Sequence, residues 1–337
     1  MAVSLVTGGA GFIGSHVAEH LLALGREVVV LDDLSGGSRT NVPRDAVFVE
    51  GSILDAGLVE RIFAEWRIDH VYHLAAYAAE GLSHFIRRFN YSHNLVGSAN
   101  LVNASVNHGV QCFVFTSSIA VYGTSQARMT EEQPPRPEDP YGIAKLAVEQ
   151  DLAAAHAMFG LDYVMFRPHN VYGERQNIGD RYRNVVGIFM NQLLQGQPMT
   201  IFGDGEQKRA FTHVSDIASV IAQAPFNTAA RNQVFNLGSD TAATVKDLAR
   251  LVAAALGCEH RVVFLPGRNE VKVSVSDHGK CRRVFGDTAM TSLETGLRAM
   301  AKWVRAHGAQ QVSVFDEIEI ERGLPENWAR ALKSRRT

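Results

Sequence analysis

The sequence has few cysteines, no long apolar run and almost no net charge, and each of these absences excludes a class of protein. Its three cysteines, Cys112, Cys258 and Cys281, lie too far apart for a paired spacing. This usage fits free thiols in a reducing compartment better than a disulfide framework. No apolar stretch reaches the roughly 18 residues that a membrane helix requires, and Met1 runs into the first strand without a basic leader. We therefore predict a cytoplasmic protein that does not cross a membrane.

Charge is nearly balanced, because 33 Lys and Arg residues stand against 35 Asp and Glu residues, giving a formal net charge of -2. Such a chain has no general positive field that would hold nucleic acid or an anionic membrane surface. An anionic ligand must therefore be held by local groups. His16 and His20 share one helix face, but no third metal ligand is spaced to join them. We predict that neither nucleic acid nor a metal ion is a partner.

Short apolar runs alternate with stretches of helical periodicity along the first half of the 337 residues. The strand-like runs cover residues 2–6, 27–31, 46–50, 70–74, 111–116 and 162–167, and the helical stretches cover 16–22, 56–66, 94–108 and 141–159. This alternation is typical of a parallel sheet with helices on both faces. We predict an α/β fold with a Rossmann-type doubly wound parallel sheet.

Glycines follow the first predicted strand directly, in the run Thr7-Gly8-Gly9-Ala10-Gly11-Phe12-Ile13-Gly14. Glycine permits strained turns and a close approach of backbone N–H groups to phosphate, and the helix that follows adds a partial positive charge. Alone, the pattern also fits an ordinary strand–helix turn. Asp32 ends the second strand about twenty residues later, where a carboxylate accepts from both hydroxyls of an adenosine ribose. No arginine follows Asp32 directly, which favours NAD over NADP.

Tyr141 and Lys145 are four residues apart at the start of a predicted helix, so their side chains lie on one face. A phenol is a poor base at neutral pH, but a neighbouring ammonium and the positive nicotinamide of NAD⁺ favour the phenolate. Ser117 and Ser118 close a strand at the ligand-binding edge of the sheet. Ser118 is thus placed to bind the substrate hydroxyl that Tyr141 deprotonates. By itself, the Tyr–Lys pair also fits an exposed helix face.

Several motifs together resemble the extended short-chain dehydrogenase/reductase family, nearest to its NAD-dependent sugar-nucleotide epimerases and dehydratases. The motifs are residues 7–14, His73-Leu74-Ala75-Ala76, Asn94-Leu95-Val96-Gly97, Ser117-Ser118 with Val121-Tyr122-Gly123, and the Tyr141/Lys145 pair. The resemblance runs from residue 2 to about residue 303. It implies a tightly held NAD, a catalytic triad of Ser118, Tyr141 and Lys145, and hydride transfer at a sugar C4. It also implies a homodimer formed through the helices over 94–108 and 141–159.

The resemblance also implies which residues bind the cofactor. They are Gly8, Gly11, Phe12, Ile13, Gly14, Asp32, Asp33, Leu34, Ser35, Gly37, Ser52, Ile53, Leu74, Ala75, Ala76, Asn94, Ser117, Tyr141 and Lys145.

For the substrate, the resemblance implies a UDP-sugar. Asn170 falls on a position that contacts the sugar or the diphosphate, and Asn184, Arg209 and Arg268 fall on positions that hold the diphosphate, where bidentate guanidinium contacts make chemical sense. Arg209 equally fits a structural salt bridge. Glu270 is expected to accept from the uridine ribose, although its local spacing departs from the family's commonest pattern. The sugar is expected to lie near residues 77–83, which begin at Tyr77, and near Ser117, Ser118, Thr124 and His169. His169 stands where the family more often has an aromatic residue.

The reaction is narrowed by Ile119 and Ala120, which follow the serine where the family's 4,6-dehydratases carry an Asp-Glu pair. An aliphatic pair cannot transfer a proton, so the resemblance implies 4-epimerisation through a transient 4-keto sugar, with NAD regenerated in each turnover. A dehydratase, a 4-reductase and a non-catalytic NAD-binding regulator on the same fold remain alternatives.

The sugar is less defined by the sequence. A hexuronate requires a cation or hydroxyl donors at C6, and the resemblance of residues 78–89 slightly favours UDP-glucuronate and UDP-galacturonate over UDP-glucose and UDP-galactose. Arg87 and Arg88 are candidate cations, or else a solvated helix face. Ser274 is small at a position where bulk excludes N-acetyl sugars in the family, so N-acetylhexosamines remain open.

Glycine-punctuated turns become frequent after about residue 170, which suggests a change of domain. We predict an NAD-binding Rossmann domain over residues 1–169 that includes the Tyr/Lys helix. A smaller α/β domain over 170–315 is expected to bind mainly the UDP-sugar and to return some segments to the sheet. Residues 316–337 form a C-terminal extension, and its basic tail from Arg330 is expected to be frayed.

Overall fold

The computed structural model describes residues 2–124, 128–267, 273–287 and 290–336. Its centre is a seven-stranded parallel sheet in the order β11-β6-β5-β4-β1-β2-β3. These strands are β1 (Val3–Thr7), β2 (Glu27–Asp32), β3 (Val47–Glu50), β4 (Ile68–His73), β5 (Cys112–Thr116), β6 (Tyr163–Pro168) and β11 (Gln233–Leu237). The predicted doubly wound sheet is confirmed. The chain leaves β1 in one direction and returns to its other side at β4, so the strand order reverses between β1 and β4.

Helices cover both faces of the sheet because successive residues of its buried strands point to opposite sides. Val6 and Val30 face α1 (Phe12–Ala23) and α8 (Val214–Gln223). Leu5 and Val29 belong to the opposite core. The helices on that side are α2 (Ala56–Glu65), α5 (Gly97–Asn107) and α6 (Pro140–Phe159). The predicted helix over 94–108 begins differently, because α3 (Glu80–Ser83), α4 (Arg87–Tyr91) and a π-helical turn over Ser92–Val96 precede α5.

The second half of the chain builds a separate core beside the carboxyl edge of the sheet. Phe189, Leu248, Leu297 and Met300 are buried together in it. Its helices are α7 (Val185–Leu194), α9 (Val245–Ala255) and α11 (Leu293–His307), and its short strands are β7 (Val171–Tyr172), β8 (Met199–Phe202), β9 (Lys208–Ala210), β10 (Thr212–His213), β12 (Ala242–Thr244), β13 (Val262–Leu265) and β14 (Val273–Ser274). Helix α10 (Gly279–Phe285) packs instead on the main sheet beside β11, through Cys281. Strand β11 returns to the edge of the main sheet beside β6.

The prediction of a frayed basic tail is wrong for the described residues. Residues Glu326–Arg336 form helix α12, in which Trp328 is only 5% exposed and Leu332 only 6%. These two side chains are four residues apart and therefore share a helix face. Trp328 on this face packs against Ala79, Leu82 and Ile86. None of the helices described here is long and apolar enough to cross a membrane.

Candidate active site

A cavity of about 700 Å³ lies at the carboxyl edge of the sheet, where the strand order reverses. This is the place at which doubly wound folds bind ligands. Most of the residues that the sequence singles out line it: Gly8, Gly11, Phe12, Ile13, Gly14, Asp32, Asp33, Ser35, Gly37, Ser52, Ile53, Leu74, Ala75, Ala76, Tyr77, Ser117, Ser118, Tyr141, Lys145, His169, Asn170, Asn184 and Arg209.

Three of the predicted site residues that the structure describes do not line the cavity. Thr124 donates a hydrogen bond to Glu138 and is not among the lining residues. Leu34 and Asn94 also lie behind the wall, and Asn94 holds Tyr77 by accepting from its backbone N at 3.0 Å and donating to its carbonyl at 3.1 Å. Arg268 and Glu270 fall outside the described residues, as does the side chain of Ser274.

The glycine turn is shaped so closely that side chains cannot enter it. A Cβ on Gly14 would lie 2.1 Å from the Gly8 carbonyl oxygen, and a Cβ on Gly8 would lie 2.7 Å from the Ala75 nitrogen. Helix α1 begins at Phe12 without a side chain capping its N-terminus. Its first-turn N–H groups therefore remain for an anion at the cavity wall, as expected for a pyrophosphate site.

Asp32 ends β2 at the wall of the same cavity and is 8% exposed. Its carboxylate accepts from the backbone N of Ala10 at 3.0 Å and of Leu34 at 2.8 Å, which fixes its orientation. Burial raises the pKa of this carboxyl, and the two N–H donors oppose the rise. A phosphate cradle and an oriented carboxylate together fit the two ends of an adenosine diphosphate, and hence NAD.

Ser118, Tyr141 and Lys145 line the cavity close to one another. Helix α6 begins at Pro140 because Asp139 accepts from the backbone N of Gly142 at 2.9 Å. Tyr141 and Lys145 therefore lie in the first two turns of this helix. Tyr141 is hydrogen-bonded to Ser118. The Lys145 Nζ donates to the Thr116 carbonyl at 2.8 Å and lies 5.8 Å from the centre of the Tyr141 ring.

Burial dominates the titration of these groups. It raises the pKa of Tyr141 well above its ordinary value, and the hydrogen bond from Ser118 opposes this rise. Burial lowers the pKa of Lys145 to about 7, against the opposing charge of Glu149 one turn away. Added positive charge beside Tyr141 would lower the pKa of its hydroxyl.

The low pKa of Lys145 predicts a pH dependence of stability. The unfolded lysine has a pKa near 10.4, so between about pH 7 and pH 10 the unfolded state binds more protons and stability rises with pH. In the NAD-free protein, we expect the free energy of unfolding in urea to increase over this range. In Lys145→Met the increase should be smaller by the share of this one group, and identical slopes for both proteins would contradict the assignment.

A buried ion pair stands behind these groups. Glu149 and Arg167 are 5% and 4% exposed, and the carboxylate accepts from Arg167 Nε at 2.9 Å and from a terminal guanidinium nitrogen at 2.5 Å. Ser117 donates to the same carboxylate at 2.5 Å. Arg167 also donates to the Tyr122 hydroxyl at 2.8 Å. The Ser117 hydroxyl is therefore engaged by this ion pair, although Ser117 lines the cavity.

The predicted substrate residues also hold the backbone. His169 Nδ1 and Asn170 Nδ2 both donate to the Ala210 carbonyl, at 3.2 and 3.0 Å. His169 is 2% exposed, and its Nε2 lies 3.0 Å from Nε2 of His278. Asn184 caps α7 by accepting from the Val186 backbone N at 3.0 Å. These contacts fix the loop at which the main sheet meets the second core.

Sequence reasoning missed several cavity residues because long-range packing, rather than a local motif, brings them there. They are Arg181, Arg183, Gln192, Phe202, Gln207 and Trp328. A local signal exists only for the two arginines, which lie within three residues before the helix cap Asn184. Arg183 Nε lies 2.8 Å from Asp180 Oδ2, and its guanidinium lies 4.6 Å from the centre of the Tyr77 ring. Arg87 and Arg88 do not line the cavity.

Comparison with known proteins agrees with this geometry. A sequence model of the NAD-dependent epimerase/dehydratase family matches residues 4–238. The UDP-glucose 4-epimerase of Mycolicibacterium smegmatis is 35% identical over 310 residues, covering 90% of this chain and 98% of that protein. The structure of the Thermotoga maritima UDP-glucose 4-epimerase with UDP-glucose has a TM-score of 0.86 and 37% identity, covering 91% of this chain and 99% of its own.

The cofactor prediction is confirmed by the family and by a further solved structure. The UDP-glucose 4-epimerase of Thermus thermophilus in complex with NAD has a TM-score of 0.84 and 35% identity, covering 90% of this chain and 99% of that one. The glycine cradle and Asp32 fit the same cofactor. This chain belongs to the NAD-dependent epimerase/dehydratase family.

Proposed function

We propose that the protein catalyses the NAD-dependent 4-epimerisation of a UDP-hexose. The observation that carries the proposal is the meeting of Ser118, Tyr141 and Lys145 in a cavity that also contains the cofactor cradle. The relatives named as UDP-glucose 4-epimerases support the same reaction. When bound, NAD supplies the acceptor for the C4 hydride and afterwards returns it.

The protein's own groups move the proton. Tyr141 takes the proton from the sugar O4 and gives it back when the hydride has returned to the other face of C4. Ser118 is hydrogen-bonded to the Tyr141 hydroxyl, and from this position it binds the same sugar O4. Lys145 lowers the energy of the phenolate by its charge, from a position fixed by the Thr116 carbonyl.

Dehydration is the alternative, and the presence of an acid in the cavity favours it. Glu80 lines the cavity, and its charge contributes to the raised pKa of Tyr141. Ile119 and Ala120 speak against dehydration, because they lie in a short 3₁₀ turn capped by Ser118 and carry no acid. A product lighter than the substrate by one water would identify a dehydratase, whereas a 4-epimer has an unchanged mass.

The nucleotide is assigned to the end of the cavity formed by the second core. Arg209 and Asn184 line this end beside neutral residues from α7, β8 and the following loop. Gln207 donates to the Phe202 carbonyl at 3.1 Å, and both residues face the cavity. An arginine for the diphosphate beside an aromatic and an amide for the base is a donor set that suits UDP.

Within the UDP-hexoses we propose a preference for UDP-glucuronate and UDP-galacturonate over UDP-glucose and UDP-galactose. The support is positive charge at the sugar end, where Arg181 and Arg183 line the cavity near Tyr77. Arg183 is one-quarter exposed and already faces one carboxylate, that of Asp180. A guanidinium with donors remaining suits a second carboxylate at C6.

Product analysis tests the reaction itself. Purified protein is incubated separately with UDP-glucuronate and UDP-glucose, and the 4-epimers are separated by chromatography and identified by co-elution with standards, while an unchanged mass excludes loss of water. We expect conversion of both, faster with the uronate at low concentration. Absence of any 4-epimer from the common UDP-hexoses, including the N-acetylated ones, would contradict the proposal.

Arg183→Gln tests the uronate preference. We expect the KM for UDP-glucuronate to rise about tenfold, because the variant loses a charge-assisted hydrogen bond to the carboxylate. The KM for UDP-glucose should stay within about threefold, since no charge is lost opposite a C6 hydroxyl. Arg87→Gln is the matched control, because Arg87 is exposed and does not line the cavity. Equal increases for both substrates would show that Arg183 does not recognise C6.

We also propose that the protein is a homodimer. Val96 is 53% exposed and Ile143 is 40% exposed, and they lie on the packed π-turn and α6. Large apolar side chains exposed on adjacent helices are typical of a subunit interface. Light scattering coupled to gel filtration should give twice the mass of one chain, and the mass of a single chain would contradict this proposal.

A further inference from the structure

The last part of the chain crosses the sugar end of the cavity as a strap, defined here as residues 313–332. The Ser313 backbone N donates to the Gly179 carbonyl at 2.9 Å, where the strap begins. The Glu319 carboxylate then accepts from the backbone N of Arg88 at 2.8 Å and of Phe89 at 2.9 Å. The strap is thus tied to both sides of the cavity mouth, the loop before α7 and helix α4.

Apolar packing holds the strap in place. Trp328 is buried with Ala79, Leu82 and Ile86, and aromatic residues from both the strap and its neighbours surround this cluster. The indole lies 4.9 Å from the Tyr182 ring at 81°, an edge-to-face contact. Burial of a tryptophan among aromatic rings makes its position well defined.

Trp328 also belongs to the cavity wall, together with Asn327. A Cβ placed on Gly81 would lie 3.8 Å from the Trp328 ring, and Glu80, the residue before Gly81, acts electrostatically on Tyr141. Arg181 donates to the Asn327 carbonyl at 3.4 Å. The indole therefore lies at the end of the cavity that contains Tyr141 and the two arginines, and away from Arg209 and Phe202.

We propose that Trp328 forms a wall of the hexose subsite and limits which sugar substituents fit there. Because Trp328 is 5% exposed, only a small part of its ring meets the cavity, and that part offers an apolar contact to the hexose and bounds the space beyond it. The inference rests on the proposed function, because it takes the Tyr141 end of the cavity as the place of the sugar. The strap lies beyond residue 238, where the match to the family ends.

Comparing the binding of UDP with that of UDP-hexoses distinguishes a role of Trp328 in the hexose subsite from a general effect on ligand binding. Calorimetry with NAD-loaded protein measures the Kd for UDP, UDP-glucose and UDP-glucuronate in wild type, Trp328→Ala and Trp328→Phe. In Trp328→Ala we expect both UDP-hexoses to bind about tenfold more weakly, since an aromatic contact to the sugar is lost. UDP itself, which lacks the sugar, should bind as in wild type. Trp328→Phe should recover most of the affinity. If the alanine variant folds poorly, Trp328→Leu takes its place, because it keeps an apolar side chain in the buried cluster while removing the ring.

Trp303→Ala is the matched control, because Trp303 packs on the second core and does not line the cavity. It should leave the ratio of UDP to UDP-hexose affinity unchanged. An unchanged ratio in Trp328→Ala, or in Trp328→Leu where it replaces that variant, would overturn the inference, whether or not the protein epimerises the sugar. If the ratio changes as expected but no 4-epimer is formed by wild type, the subsite stands and the proposed reaction fails.

Discussion

Tyr141→Phe should lower kcat for 4-epimerisation by about 10²–10⁴-fold, the usual contribution of a positioned general base. The phenylalanine keeps the ring but removes the hydroxyl that is hydrogen-bonded to Ser118. Because Tyr141 is 7% exposed and packed at the start of α6, the ring should hold the cavity open as before. We therefore expect the variant to retain NAD, as measured by the cofactor released from denatured protein.

A matched tyrosine distinguishes the hydroxyl at this place from hydroxyls elsewhere. Tyr163 lies at the start of β6, away from the cavity. Tyr163→Phe should therefore epimerise at the wild-type rate. Wild-type turnover in Tyr141→Phe would remove this residue from the mechanism. If the protein is instead a non-catalytic NAD-binding regulator, Tyr141→Phe should keep its biological role while wild type shows no turnover.

Glu149→Ala should reduce the free energy of unfolding by about 3–5 kcal/mol, because it leaves a guanidinium buried without its partner. Arg167 is 4% exposed and donates a hydrogen bond to each carboxylate oxygen of Glu149. Ser117 loses the same acceptor. Urea denaturation of the NAD-loaded protein, monitored by circular dichroism, measures the change.

Two comparisons separate the broken pair from loss of the side chain itself. Glu206 forms an exposed pair with Lys246, at 60% and 46% exposure, so Glu206→Ala should change stability far less than Glu149→Ala. Replacing both buried partners, as Glu149→Leu with Arg167→Met, should recover most of the stability, since no unpaired charge remains. A loss in Glu149→Ala no larger than in Glu206→Ala would show that water reaches the pair.

The cofactor side of the cavity was predictable because its signals are local. The strand, glycine turn and helix between Val3 and Ala23 are consecutive in the chain, and Asp32 ends the next strand. Tyr141 and Lys145 are one helical turn apart, so their relation follows from the helix alone. Backbone geometry over a few residues determines all of these positions.

The sugar side was not predictable in the same way. Arg183 and Trp328 come from segments separated by more than a hundred residues and are joined through Tyr182 and Tyr77. Neither residue lies in a motif. The tail was predicted to fray because its charges dominate its composition, whereas the spacing of Trp328 and Leu332 provides the apolar face that holds α12 in place. Long-range packing decides such positions, and a single sequence records it only as scattered apolar residues.

The cavity draws its two ends from different stretches of the chain. The predicted NAD-binding residues lie between Gly8 and Lys145, whereas the strap that carries Trp328 is among the last residues described. None of the predicted NAD-binding residues therefore lies in the strap. A protein built this way can change its choice of sugar through selection on its tail while its redox chemistry is inherited intact, and an engineer can vary the same residues for the same purpose.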